Sequence, residues 1–189
     1  MTQVYHNNIF LLKGAVQGGK TAFLSAMTEL FQKEGITVGG FLSPGKVSEG
    51  KRSGFDLRQI GTGTQVNMAG LQEKEHWFKY RRFWFNPMAF AQGEIWMEES
   101  LKNKDRVLVI DEVGPMELEG RGWAGLLDRL VKHNKMLQLW SVREQLVSQV
   151  LEQWFIGSTQ VIDMDIDTPL SAHKKLMASW LINHTAGTK

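Results

Sequence analysis

Apolar positions along the chain fall into two kinds of pattern. Short continuous runs, the pattern of strands buried on both faces, recur at "NIFLLK" (8–13), "RVLVIDE" (106–112), "KMLQLWSV" (135–142) and "TQVID" (159–163). Between them, apolar residues return at helical spacing. Phe23, Leu24, Met27, Leu30 and Phe31 predict a helix after the first run, with Gly35 at its C-terminus, where a residue tolerant of positive φ is favoured. "WAGLLDRLVKH" (123–133) and "REQLVSQVLEQWF" (143–155) predict two more. Asn86 with Pro87, and Thr168 with Pro169, each pair a cap with a first-turn proline, opening helices that run to about Lys102 and Asn183. "ITVGGFLS" (36–43) and "KRSGFDLRQI" (51–60) flank the turn-rich "PGKVSEG" (44–50) and predict a β-hairpin. Strands alternating with helices predict an α/β fold with a mostly parallel sheet covered on both faces.

Composition narrows this only slightly. The chain has 189 residues, 42% of them hydrophobic, enough for one sizeable core, so a single domain spanning 1–189 is expected. Its seven tryptophans and nine methionines are expected mainly in that core. With no cysteine there is neither a disulfide framework nor a thiolate metal site. The run Ile9–Leu12 is too short for a signal-peptide core or a membrane span, so a soluble cytoplasmic protein is expected, with "NHTAGTK" (183–189) as a frayed tail. A formal charge of +2 is too small to imply wholesale nucleic-acid binding.

The candidate chemistry begins with "GAVQGGKT" (14–21), between the first strand and its helix. Gly14 and Gly19 are expected to adopt torsions closed to other residues, turning the N–H groups of Gly14, Ala15, Val16, Gln17, Gly18, Gly19, Lys20, Thr21 and Ala22 toward an anion at a helix N-terminus. Lys20 then reaches the β- and γ-phosphates of a nucleotide, and the Thr21 hydroxyl binds Mg²⁺. The strand "RVLVIDE" delivers Asp111 to the same metal. Glu112, on the opposite face of the strand, is expected to turn toward a water that attacks the γ-phosphorus. Arg143, just beyond the third strand, is the first candidate for the charge that meets the transition state, ahead of Arg52, Arg58 and Arg121.

Taken together, "GAVQGGKT", the "GGF…KRSGFDL" hairpin and "VIDEVGPMEL" resemble the small nucleoside-triphosphatase family first described in thermophiles, often abbreviated THEP. The likeness spans residues 8 to about 163. It implies a P-loop NTPase, a RecA-like three-layer α/β/α sandwich with an inserted β-hairpin, hydrolysing NTPs, ATP and GTP among them, slowly and with Mg²⁺. It places the phosphate loop on Gly14 to Thr21 and the metal and base carboxylates on Asp111 and Glu112. Glu117 matches the motif's last acid, which either orients water or metal or serves as a favourable first-turn charge. The chain departs from the family pattern at Ala22, where Thr is frequent, and at Val142-Arg143, where a His-Arg pair is frequent.

Two other functional classes share these motifs. A small-molecule or nucleotide kinase needs an acceptor site under an Arg-rich lid, and no such segment follows the acidic strand. A nucleotide-dependent switch would use slow turnover to time contact with a protein partner. The aromatic and basic "HWFKYRRFWF" (76–85) could stack single-stranded nucleic acid, but Phe83 and Phe85 alternate as in a strand beside the core, and that reading is the stronger.

Overall fold

A computed structural model of the protein describes residues 8–133, 135–157 and 160–185. In chain order its elements are β1 (Ile9–Gly14), α1 (Lys20–Lys33), β2 (Val38–Leu42), β3 (Gly45–Ser48), β4 (Lys51–Gln59), β5 (Gln65–Gly70), β6 (Phe78–Tyr80), β7 (Phe83–Phe85) and α2 (Pro87–Asn103). There follow β8 (Val107–Val113), α3 (Pro115–Leu118), α4 (Ala124–Leu130), β9 (Leu137–Arg143), a 3-10 turn at Glu144–Leu146, α5 (Val147–Gln153), β10 (Val161–Asp163) and α6 (Pro169–Thr185). Among the described residues the strands form one ten-stranded sheet, ordered β10-β1-β9-β8-β2-β4-β5-β7-β6, with β3 on β4.

The first five strands of that order are parallel. Their alternate side chains go to opposite faces, which explains why the apolar runs are continuous. Phe10, Leu12, Val107, Val109, Leu137 and Leu139 meet α1 and α6 on one side. Ile9, Leu11, Leu108, Ile110, Trp140 and Val142 meet α2, α4 and α5 on the other. Helix, sheet and helix therefore make the three layers that the pattern predicts. No described helix is long and apolar enough to cross a membrane.

The remaining strands are antiparallel and extend the sheet beyond β2. The expected hairpin forms, with Phe41 opposite Gln59 and Leu42 opposite Arg58. It is larger than the sequence suggests, because the turn segment 44–50 itself contributes β3. Lys46 on that strand reaches across β4 to Asp56 (2.9 Å) and Asn67 (2.8 Å), a tertiary tie that local turn propensity does not reveal. β5 and the hairpin β6–β7 complete the extension, and Phe83 and Phe85 are buried within it. The Asn86 side chain caps α2 as predicted, accepting from the Met88 N–H at 3.0 Å. Gly114 and Pro115 open the one-turn helix α3, with Glu117 in its first turn. Of the expected frayed tail, α6 takes in positions up to Thr185, and residues 186–189 lie outside the described residues, as does Thr159 before β10.

Candidate active site

β1 is hydrogen-bonded on both sides, to β10 and β9, so its carboxyl end is fixed where the chain leaves it at Gly14. Gly14 needs no left-handed torsion, contrary to the expectation from its place in the motif. Its constraint is steric, since a Cβ there would fall 2.8 Å from Met164 Sδ and 3.2 Å from Lys20 Cγ. The left-handed torsions occur at Gln17 (φ 59°) and Gly19 (φ 88°), the residue before α1. They curl the loop so that the Gly18 N–H turns back onto the Ala15 carbonyl at 3.0 Å, a left-handed turn before a helix N-terminus being the setting in which backbone N–H groups hold phosphate.

Lys20 is buried at the base of that loop, 5% exposed, and its ammonium donates to the carbonyl oxygens of Ala15 (2.8 Å) and Gly14 (3.4 Å). Burial holds its pKa below the ordinary lysine value, while Glu112 and Asp111 pull it back up. A polyanion entering the loop would offer the ammonium stronger acceptors than those carbonyls.

The second half of the site comes from strand ends. β9 lies between β1 and β8, with Arg143 in register with Gly14, so loop, acid pair and arginine share one edge of the sheet. Asp111, 1% exposed, accepts from Thr21 Oγ1 at 2.7 Å, from the Ser43 N–H at 3.1 Å and from Ser141 Oγ. Its main-chain carbonyl accepts from Ser43 Oγ. Burial raises the Asp111 pKa, and the bonds from Ser141, Thr21 and Ser43 oppose that rise. Glu112, half-buried, accepts from Arg143 Nε instead. The two neighbouring carboxylates therefore work in separate networks, as their different expected tasks require.

The donor set suits Mg²⁺. A hydroxyl and a carboxylate oxygen, Thr21 Oγ1 and Asp111 Oδ2, stand 2.7 Å apart beside Lys20. No cluster of three or more acidic, His or Cys groups that could cage a metal occurs among the described residues. Mg²⁺ uses few protein oxygens and completes its shell with phosphates and water, so this sparse pair fits it.

These groups border a cleft of about 960 Å³. Val16 to Ala22, Glu112 and Arg143 line it, while Gly14 and Ala15 are not among its lining residues and Asp111 is buried. Of the competing arginines, Arg52 and Arg58 line the cleft, whereas the Arg121 guanidinium lies 5.4 Å from the rings of both Phe78 and Tyr80. Sequence reasoning missed Ser43 and Ser141, which hold Asp111, and Tyr80, Arg81, Arg82 and Trp123 in the lining. Ser141 had one usable signal, a hydroxyl at the polar end of an apolar run that had to sit beside the acidic strand.

The sequence profile of a family described as NTPase matches residues 9–164. The nucleoside-triphosphatase THEP1 of Methanothermobacter thermautotrophicus is 24% identical over 145 residues, 72% of this chain and 82% of that protein. That of Archaeoglobus fulgidus is 30% identical over 131 residues, 67% of this chain and 74% of that protein. Among solved structures, a human cancer-related nucleoside triphosphatase superposes with a TM-score of 0.62 at 19% identity, covering 98% of this chain and 100% of that one. THEP1 from Aquifex aeolicus superposes with a TM-score of 0.62 at 18% identity, covering 90% of this chain and 95% of that one.

Proposed function

The chain belongs to the NTPase family, and from that premise we propose that it is a Mg²⁺-dependent phosphohydrolase that splits the γ-phosphate from nucleoside triphosphates by Glu112-directed attack of water. The observation that carries this reading is the 2.7 Å contact between Thr21 and Asp111, which ties the phosphate loop to the acidic strand at one point. A polyphosphate seated in the loop has its terminal phosphate there, within reach of Lys20.

The residues divide the work as follows. The loop N–H groups from Val16 to Ala22, apart from that of Gly18, which donates to the Ala15 carbonyl, and the Lys20 ammonium hold the β- and γ-phosphates, which replace the Ala15 and Gly14 carbonyls as Lys20's partners. Thr21 and Asp111 would hold Mg²⁺, which when bound neutralises charge on the phosphate oxygens. Glu112 accepts a proton from water, or aligns it, with its carboxylate fixed by Arg143 Nε. That bond uses Nε, so the terminal NH₂ groups of Arg143 serve the phosphoryl oxygens as charge spreads over them. ATP and GTP are both proposed substrates, since every contact named here is to phosphate.

Phosphate release from ATP and GTP with Mg²⁺ tests the scheme. Lys20→Ala and Glu112→Gln are each expected to lower kcat on the order of 10²-fold or more. Unchanged release in either variant would overturn its assigned role.

A further inference from the structure

The cleft does not stop at Asp111. The phosphate loop follows β1, the acid pair ends β8, and β2 lies on the far side of β8 from β9. Lining residues Gly45, Arg52 and Arg82 therefore mark a continuation away from the phosphate loop, into the antiparallel half of the sheet. The whole volume of about 960 Å³ sits at the upper end of the roughly 300–1,000 Å³ found for single ligand sites.

Four arginines of this half, Arg52, Arg58, Arg81 and Arg82, line the cleft, and none has a carboxylate within ion-pair distance among the described residues. Arg52 lies 5.4 Å from the Phe55 ring, Arg82 4.7 Å from the Phe83 ring and Arg81 5.5 Å from the Tyr80 ring. Phe55 and Phe83 meet edge to face at 5.3 Å, and Arg82 donates to the Arg52 carbonyl at 3.4 Å, so two of the arginines form one cluster.

The backbone makes room for Arg52 specifically. A Cβ on Gly45 would fall 0.8 Å from Arg52 Nη1, so the guanidinium occupies the space of a missing side chain, two residues along from Ser43, which holds Asp111. A half-buried guanidinium with no carboxylate partner keeps its N–H donors available to an entering anion. A planar guanidinium fork beside an aromatic ring is suited to receive phosphate bidentately. Phe90, half-buried and packed on the core residue Trp123 with ring centroids 4.7 Å apart, supplies an apolar wall for a flat ring in the same cleft.

We propose that the antiparallel half of the sheet builds a second ligand subsite, beyond the γ-phosphate end of the cleft, for a phosphomonoester carried on a planar heteroaromatic ring, the chemistry of a nucleoside monophosphate. Arg52 and Arg82 take the phosphate, Arg81 adds charge at the mouth, and the aromatic wall takes the ring. The proposal rests on the NTPase reading for which end of the cleft holds the γ-phosphate.

Calorimetric titration of AMP into the full chain, presaturated with Mg²⁺ and a non-hydrolysable ATP analogue, tests it. AMP is expected to bind the loaded protein at least about tenfold more tightly than adenosine or inorganic phosphate alone. Arg52→Ala and, separately, the exposed Arg82→Ala are expected to weaken AMP by about tenfold or more, with the analogue's own affinity unchanged. The subsite does not exist if the loaded protein fails to bind AMP, or if either folded arginine variant binds it as well as the parent. It is equally overturned if those variants weaken the analogue instead, since the arginines then serve the triphosphate itself. If the analogue alone gives no heat, the NTPase reading fails first, and that outcome is distinct because AMP can still be titrated into the unloaded protein.

Discussion

Glu117 ties together two stretches of backbone: Oε2 accepts from the Gly114 N–H at 2.8 Å and Oε1 from the Trp123 N–H at 3.1 Å. Both oxygens are thus engaged in holding the segment that leads Trp123 into the core, which gives the motif's last acid a structural task. The side chain is 4% exposed, and burial pushes its pKa up to about 7, against the opposing pull of those N–H groups. The folded state therefore binds this proton more tightly than the unfolded chain, whose value is near 4.5. Its contribution to stability is full below pH 4.5 and is lost as pH rises through 7. Urea unfolding is expected to show stability falling between pH 5 and 8, by up to about 3 kcal/mol from this group. Glu117→Gln should flatten that slope. It should also cost about 1–3 kcal/mol at pH 5, because an amide NH₂ then faces a backbone N–H. A slope equal to the parent's would show that Glu117 does not titrate in this range. At this scale the convergence of Lys20, Thr21, Asp111 and Glu112 was legible, because their spacing from glycines and apolar runs places the loop and the acid pair at the carboxyl ends of parallel strands. Ser43 and Ser141 were not, because a lone serine acquires its partner only when β2 and β9 flank β8.

β2 shows how an element can be specified by what it lacks. All five of its residues are buried, and α2 packs onto its backbone, with Ser100 Oγ accepting from the Gly40 N–H at 3.2 Å. A Cβ on Gly40 would fall 2.1 Å from the Val109 carbonyl oxygen, and its φ is 98°. Gly50, in the turn before β4, has a φ of 74° but nothing within 4 Å of a built Cβ. Alanine at the two sites therefore separates torsional strain from packing. Gly50→Ala is expected to cost about 1 kcal/mol, and Gly40→Ala on the order of 4 kcal/mol, because the β2–β8 pairing must also give way. Chemical denaturation of the two variants checks this, and equal losses would mean that the close approach of β2 to β8 is not a constraint. The parallel strands and the long helices were readable from periodicity and caps, since each carries its own signal in a short window. The antiparallel extension was only partly readable. β3 lies in a turn-like, exposed stretch and β6 spans three residues, so both depend on partners distant in sequence.

The order of strands makes the molecule act as one body on the nucleotide side. The loop between β1 and α1, Ser43 after β2, the acid pair of β8 and the Ser141–Arg143 end of β9 come from four strands adjacent in the sheet. Neither strand order nor the insertion of β9 between β1 and β8 is written in any local pattern; both are set only when the parallel strands pair into one sheet. A ligand bridging these ends binds only when all four are in register, so its binding energy adds to the stability of the whole parallel half. At a free concentration one hundred times its Kd, a ligand specific to the folded state adds about 2.7 kcal/mol, which for a chain near this length raises Tm by about 5–10 °C. A non-hydrolysable ATP analogue with Mg²⁺ is expected to give a shift of that size in a melting experiment, and EDTA to remove most of it. Asp111→Asn, read as the analogue-induced shift and not as absolute Tm, should lose the part that depends on Mg²⁺ and keep the part contributed by Lys20 and the loop N–H groups. If Asp111→Asn left the Mg²⁺-dependent part intact, loop and acidic strand would not be sharing a metal. The coupling between them would then reduce to the hydrogen bond between Thr21 and Asp111.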